Sequence, residues 1–158
     1  MKQSIGAIVL GLMAATAGNA GDDKASPTVV FVCEHGAAKS VVAAAHFNQL
    51  ARERGLRIRA IARGTMPDES MAAVAVKGLA ADGLKAPEGR PTLVRAEELA
   101  SSRRAVALGC DLSRVTPAGV SVDQWDEIPP MSADYAAARD AIVRRVKALL
   151  DELGGPQP

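Results

Sequence analysis

The run TVVFVC at residues 28–33 is apolar after its first residue and is followed at once by the small-residue stretch EHGAAKS. Valine-rich runs of this length read as strands buried on both faces, the kind found in parallel sheets. From Ser40 to Arg54 the period becomes helical: Ala43, Phe47, Leu50 and Ala51 share a face, and Gly55 supplies a stop. Residues 57–62 alternate charged and apolar side chains, which predicts a strand nearer an edge. Gly64-Thr65-Met66-Pro67 predicts a turn, with Asp68 capping a helix that lines up Met71, Val74, Ala75, Gly78 and Leu79 and ends near Gly83. After a looser stretch at 86–91 come a short helix over 95–101, a buried strand over 105–108 and a fourth strand over 121–125. The last helix, 133–153, carries the stripe Tyr135, Ala138, Ile142, Val146, Leu149 and Leu153. Strands alternating with helices predict an α/β fold: one three-layer domain over 28–153, a four-stranded parallel sheet with helices on both faces.

The first twenty residues stand outside that pattern. Lys2 gives a charged start, Ile5 to Ala17 an apolar core, and Gly18-Asn19-Ala20 a small-residue end, so residues 1–20 read as a secretory signal peptide too short to span a membrane. The product is then expected in the periplasm or secreted, with no membrane association after cleavage. No cysteine follows the apolar core, which argues against a lipid anchor. The remaining chain is the size of one ordinary domain. Lys+Arg number 19 against 18 Asp+Glu, and no basic run or aromatic-studded patch occurs, so nucleic acid is not an expected partner. Only 3% of residues are aromatic, so the core is expected to be built of small aliphatics.

Two cysteines carry the candidate chemistry. Cys33 ends the first strand and opens CEHGAAKS, which leads straight into a helix, and Cys110 lies just beyond the third strand in ALGCD. In parallel sheets ligands bind at the carboxyl ends of strands. A loop of backbone N–H groups running into a helix N-terminus favours an anion there, and the same field favours a thiolate nucleophile. The expected site is therefore a phosphate-binding loop after the first strand. No spaced ligand pair suits a metal; His46 lies about two turns into the helix, away from the loop. Nothing in the pattern asks for a cofactor.

With these residues in hand the chain resembles the low-molecular-weight protein tyrosine phosphatase superfamily, including its thioredoxin-coupled arsenate reductase branch. The resemblance runs from about Val29 to Leu150. It rests on the order of a hydrophobic strand, a Cys-five-residues-cation-Ser loop, a long helix, the ARGTMP turn, the ALGCD segment, WDEIPP and the C-terminal helix. It implies Cys33 as nucleophile and Glu34, His35, Gly36, Ala37, Ala38 and Lys39 as the oxyanion cradle. Ser40 closes the cradle and supports the thiolate, a role compatible with capping the helix. Two departures stand out. Lys39 occupies the place of the family's arginine, whose planar fork grips two oxygens where lysine offers a point charge. A lost preorganised donor typically costs about 3–4 kcal/mol of transition-state stabilisation. The family's acidic position falls on Pro129, leaving Asp126, or Asp123 before it, as candidate general acids.

In the loop, Glu34 opposes an incoming dianion unless it points away, and His35 reads as a solvated histidine more readily than a catalytic one. Cys110 matches the second cysteine of the reductase branch, but no third cysteine follows within Asp111 to Pro117. A thiol relay would stop at Cys33–Cys110 or pass to an external thiol donor. Three functions stay open: a phosphatase acting on phosphomonoesters through a cysteinyl-phosphate, an arsenate reductase using Cys33 and Cys110, and a weakly active or inactive oxyanion-binding or redox-sensing module. All three share one ligand class: phosphate, arsenate or a phosphomonoester.

Overall fold

The computed structural model describes residues 28–154. The leader expected over residues 1–20 lies outside these. Four strands, β1 (Thr28–Cys33), β2 (Arg59–Gly64), β3 (Arg104–Ala107) and β4 (Val122–Gln124), form a single parallel sheet in the order β2-β1-β3-β4. Helices α1 (Lys39–Glu53), α2 (Ala73–Ala81), α3 (Ala96–Ser101) and α4 (Tyr135–Gly154) cover it.

β1 owes its unbroken apolar run to a central place between β2 and β3, with one face toward each helical layer. Val29, Phe31 and Cys33 share a core with Phe47, Trp125, Ile142 and Val146, whereas Val30 and Val32 pack on the other face with Val94, Leu99 and Leu112. Period-two alternation thus puts Cys33 on the face of α1 and α4. Phe31 anchors that side, its ring 5.8 Å from Phe47 and 5.5 Å from Trp125. Three of the chain's four aromatic residues therefore meet at one point beneath the site, each burial contributing about 1.5–3 kcal/mol.

α1 ends in a Schellman motif. Leu56 N–H donates to Ala51 O at 2.9 Å and Gly55 N–H to Arg52 O at 3.0 Å, with Gly55 at a φ of 67°. This supports the expected glycine stop. Elsewhere boundaries and caps differ from expectation. β2 lies two residues further along than the charged alternation at 57–62 suggested. On its outer edge the Asn48 amide exchanges hydrogen bonds with Ala60, donating to its O at 3.0 Å and accepting from its N–H at 2.7 Å. This side chain takes the place of a strand partner and seals the edge. At the other end Gly64 joins the ladder with Cys33 and also bonds Thr92 and Val94.

Asp68 does not cap α2. That helix starts at Ala73 with Ala72 as N-cap and no side-chain cap bond, because residues 65–72 are used to hold the loop after β1. Ser40 is not an N-cap either. α1 begins one residue earlier, behind Ala38, and the fully buried Ser40 hydroxyl is committed to Cys33.

α4 is seated by a polar cluster as well as its apolar stripe. The Asp82 carboxylate accepts from Tyr135 Oη at 2.7 Å and from Arg139 Nη1, and lies 3.2 Å from His46 Nε2, joining α1, the end of α2 and α4. The Tyr135 ring abuts Gly78, where any Cβ would sit 2.1 Å from a ring carbon. No helix among the described residues is long and apolar enough to cross a membrane.

Candidate active site

In the strand order β2-β1-β3-β4 the connections leave β1 and β3 in opposite directions. Such a switch point opens a crevice at the carboxyl ends of those two strands. Cys33 ends β1, and Gly109 and Cys110 follow β3. A cavity of about 290 Å³ opens there, lined by Cys33, Glu34, His35 and Lys39 from the loop, and by Gly109, Met131 and Ser132 from opposite.

The conformation of residues 33–40 is dictated by where its carbonyls go. Thr65 N–H donates to Cys33 O at 3.2 Å, Met66 N–H to Glu34 O at 2.8 Å, Asp68 N–H to His35 O at 3.1 Å and Ala72 N–H to Ala37 O at 3.0 Å. Val42 N–H takes Ala38 O at 3.0 Å as the first bond of α1. In a planar trans peptide the N–H points opposite to the preceding C=O. Turning these carbonyls outward therefore turns the N–H groups of Glu34, His35, Gly36, Ala38 and Lys39 inward. None of the N–H groups from Glu34 to Ser40 donates to a protein acceptor among the described residues. Of the residues whose N–H groups turn inward, Gly36 is buried and Ala38 and Lys39 are half-buried. That arrangement is a nest for an anion, which supplies what buried donors require.

Two glycines make the curl possible. Gly36 has a φ of 62°, in the left-handed region. Its α-carbon packs on Gly64 so closely that a Cβ on Gly36 would lie 2.8 Å from Gly64 N, and one on Gly64 would lie 2.7 Å from Gly36 N.

Cys33 is buried at the base of this ring, 7% exposed, with Sγ 3.1 Å from Ser40 Oγ. Ser40 is placed to donate to a thiolate, as expected. Lys39 Nζ donates to Ile128 O at 2.8 Å, tying the loop to the segment after β4. Glu34 and His35 face the mouth, both about half exposed. His35 Nδ1 is 3.2 Å from Asp68 Oδ1, and Nε2 is 3.8 Å from Glu34 Oε2. Glu34 thus faces its neighbouring imidazole.

Not every expected residue is brought to the cavity. Asp126 is exposed and stands outside the lining. Asp123 is engaged by Arg104 at 2.9 Å. The 128–132 segment, read for an acid, instead supplies the Ile128 carbonyl, Met131 and Ser132. Cys110 is a free, half-buried thiol whose Sγ donates to Val32 O at 3.4 Å. Burial, and after it the neighbouring Cys33, pushes the Cys110 thiol up to about 11. Asp68 was missed as part of the site, since an acid just before a helix looks like a cap. A larger cavity, about 630 Å³, is lined by Gly36 and by residues of α1, β2 and the 83–92 segment, and no cysteine lines it. No group of three or more metal-ligating side chains occurs among the described residues.

No family model matches the chain, and no curated protein matches it in sequence. Solved structures do match. A low-molecular-weight protein tyrosine phosphatase from T. tengcongensis superposes with a TM-score of 0.70 at 18% identity, covering 80% of this chain and 99% of that one. An arsenate reductase from Archaeoglobus fulgidus is 30% identical, with a TM-score of 0.61, over 77% of this chain and 98% of its own. The chain belongs to the low-molecular-weight protein tyrosine phosphatase superfamily. A further neighbour, an arsenate reductase in its phosphate-binding state, is 16% identical with a TM-score of 0.63, covering 80% of this chain and 98% of that one. At that identity the likeness concerns the superfamily fold alone. Within the superfamily, phosphatases and arsenate reductases share this architecture, so the choice of reaction rests on the chain's own residues.

Proposed function

We propose that this protein hydrolyses phosphomonoesters through a cysteinyl-phosphate on Cys33. The observation that carries this reading is the loop that opens at Cys33, whose carbonyls are bonded to residues 65–72 so that the N–H groups opposite them turn the other way. A phosphoryl group seated there presents three equatorial oxygens to the N–H groups with its phosphorus above the thiolate. Cys33 attacks phosphorus, and the S–P bond forms as the P–O bond to the alcohol breaks. Ser40 holds the thiolate, and Lys39 adds positive charge from the loop's end. Water then attacks the phosphocysteine and releases inorganic phosphate and the thiolate. The phosphate-bound neighbour supports an oxyanion as ligand.

Arsenate reduction is the second reading, supported by Cys110 beyond β3 and by the 30% identical arsenate reductase. It needs Cys110 to attack as a thiolate and an external thiol donor to finish the cycle. A thiol at about 11 is ionised to only about one part in ten thousand at pH 7, which disfavours it as second nucleophile. The leader pattern of residues 1–20 supports a location in the periplasm or outside the cell.

The purified protein is expected to hydrolyse an aryl phosphate under reducing conditions, with Cys33→Ser abolishing turnover while phosphate still raises Tm. A wild type that is stabilised by phosphate but turns nothing over is an oxyanion-binding module instead. Arsenate consumption with a thiol donor that Cys110→Ser stops would establish the reductase.

A further inference from the structure

The superfamily's acidic position is Pro129 here, and Asp126 stands outside the cavity, so the alcohol lacks an evident proton source. Around Cys33 the lining holds only three other ionisable side chains: Lys39, Glu34 and His35. Lys39 is tied to the Ile128 carbonyl. His35 differs from its neighbours in being held twice by one residue. Its carbonyl accepts from Asp68 N–H at 3.1 Å, and its Nδ1 lies 3.2 Å from Asp68 Oδ1. The ring thus stands with Nδ1 beside the Asp68 carboxylate. Nε2, at 3.8 Å from Glu34, is too far for a hydrogen bond and is left for a group entering the cavity.

We propose that His35 donates the proton to the leaving oxygen and that Asp68 positions it. The inference deepens the phosphomonoesterase reading and rests on it. In the first step the S–P bond forms on Cys33, the P–O bond breaks, and the Nε2 proton of the imidazolium passes to the leaving oxygen, giving the alcohol and a neutral imidazole. In the second, that imidazole takes a proton from the water attacking phosphorus, the S–P bond breaks, and phosphate, the Cys33 thiolate and the imidazolium are restored. The charged groups facing the ring are Glu34 and Asp68, with Cys33 and Lys39 lining the same cavity.

The test compares two substrates: phenyl phosphate, whose phenoxide needs a proton to leave, and 2,4-dinitrophenyl phosphate, whose anion leaves without one. His35→Gln is expected to lower kcat on phenyl phosphate about 10²–10³-fold and on the dinitrophenyl ester only a few-fold, with the basic limb of its pH–rate profile gone. Asp68→Asn loses part of the same kcat, on phenyl phosphate only and without a change in KM, whereas Glu34→Gln keeps the wild-type ratio between the substrates. Phosphate-induced Tm shifts matching wild type show that each variant keeps its folded loop. Equal effects of His35→Gln on both esters, or the leaving-group signature appearing in Glu34→Gln instead, overturn the assignment while the phosphatase reading stands. A wild type inactive on both esters sinks the phosphatase reading and this inference with it.

Discussion

Replacing Gly64 with alanine tests whether the oxyanion ring is held by backbone contact with β2. The new Cβ would lie 2.7 Å from Gly36 N, 2.9 Å from the His35 carbonyl carbon and 3.0 Å from Gly36 Cα, all backbone atoms without a rotamer to change. Ordinary contact begins near 3.4 Å, so the loop must retreat from β2 by roughly 0.5–0.7 Å. It is not free to do so. The four carbonyls of Cys33, Glu34, His35 and Ala37 are bonded to residues 65–72, the segment that continues directly from Gly64. Overpacking of this kind costs about 1–3 kcal/mol, or a Tm lower by roughly 3–12 °C in a domain this size.

The larger effect falls on the inward N–H groups, since each outward carbonyl fixes the N–H opposite to it. Misplacement of this order lowers aryl phosphate turnover about 10²-fold and weakens the Tm shift caused by millimolar phosphate. Gly55→Ala is the control. Gly55 has a φ of 67°, but a Cβ there meets nothing within 4 Å. It should lose about 1–2 kcal/mol to left-handed strain and keep full turnover. A Gly64→Ala protein with wild-type kcat and phosphate binding would refute the claim that this contact sets the ring.

Two further predictions follow from charges near and away from the loop. Lys39→Arg restores a fork where the ammonium makes one bond to Ile128 O, and kcat on aryl phosphate should rise at least tenfold; an unchanged kcat would show that the clamp is not limiting. His46 is held below its usual range chiefly by burial, with Asp82 partly offsetting this; Asp82 is held low because its Tyr135 and Arg139 bonds outweigh its own burial. Both groups bind fewer protons folded than unfolded, so stability rises with pH. His46's share is complete above its unfolded value of about 6.5 and is lost as pH falls below it. Tm should therefore drop from pH 7.5 to 5.5, and His46→Gln should flatten that drop; an equal slope in the variant would exclude His46 as its source.

The legible part of this protein was whatever depends on local pattern. TVVFVC declared a doubly buried strand because both faces of β1 meet helices or loops, and Gly55 declared a helix stop because only local backbone geometry is at stake. What stayed hidden depends on chain segments distant in sequence. Asp68 and Ser40 each had the composition of a cap, and each is used across the fold, on His35 and on Cys33. Nothing near residues 59–64 announced that Asn48 would take the place of a strand partner there. The resemblance implied an acid near Trp125, whereas the lining at 131–132 carries no carboxylate.

The parts of the site that persist and those that vary obey different constraints. The anion ring is made of peptide groups, so it requires a thiol at 33, a hydroxyl at 40 and the absence of side chains at 36 and 64, all of which this chain has. It makes no demand on which cation ends the loop or which group supplies a proton. Those tasks act on charge that develops during reaction and tolerate other solutions, provided the new group reaches the same oxygens. Glu34 and Asp68 place negative charge at the mouth, which opposes a dianion. Both are about half exposed and flank an imidazole, so solvent and that ring screen them while the N–H groups act at contact distance. Two carboxylates beside an anion site flank the histidine to which proton transfer is assigned. Screened in this way they take little from binding, and neutralising Asp68 should slow only the esters whose alcohols need that proton.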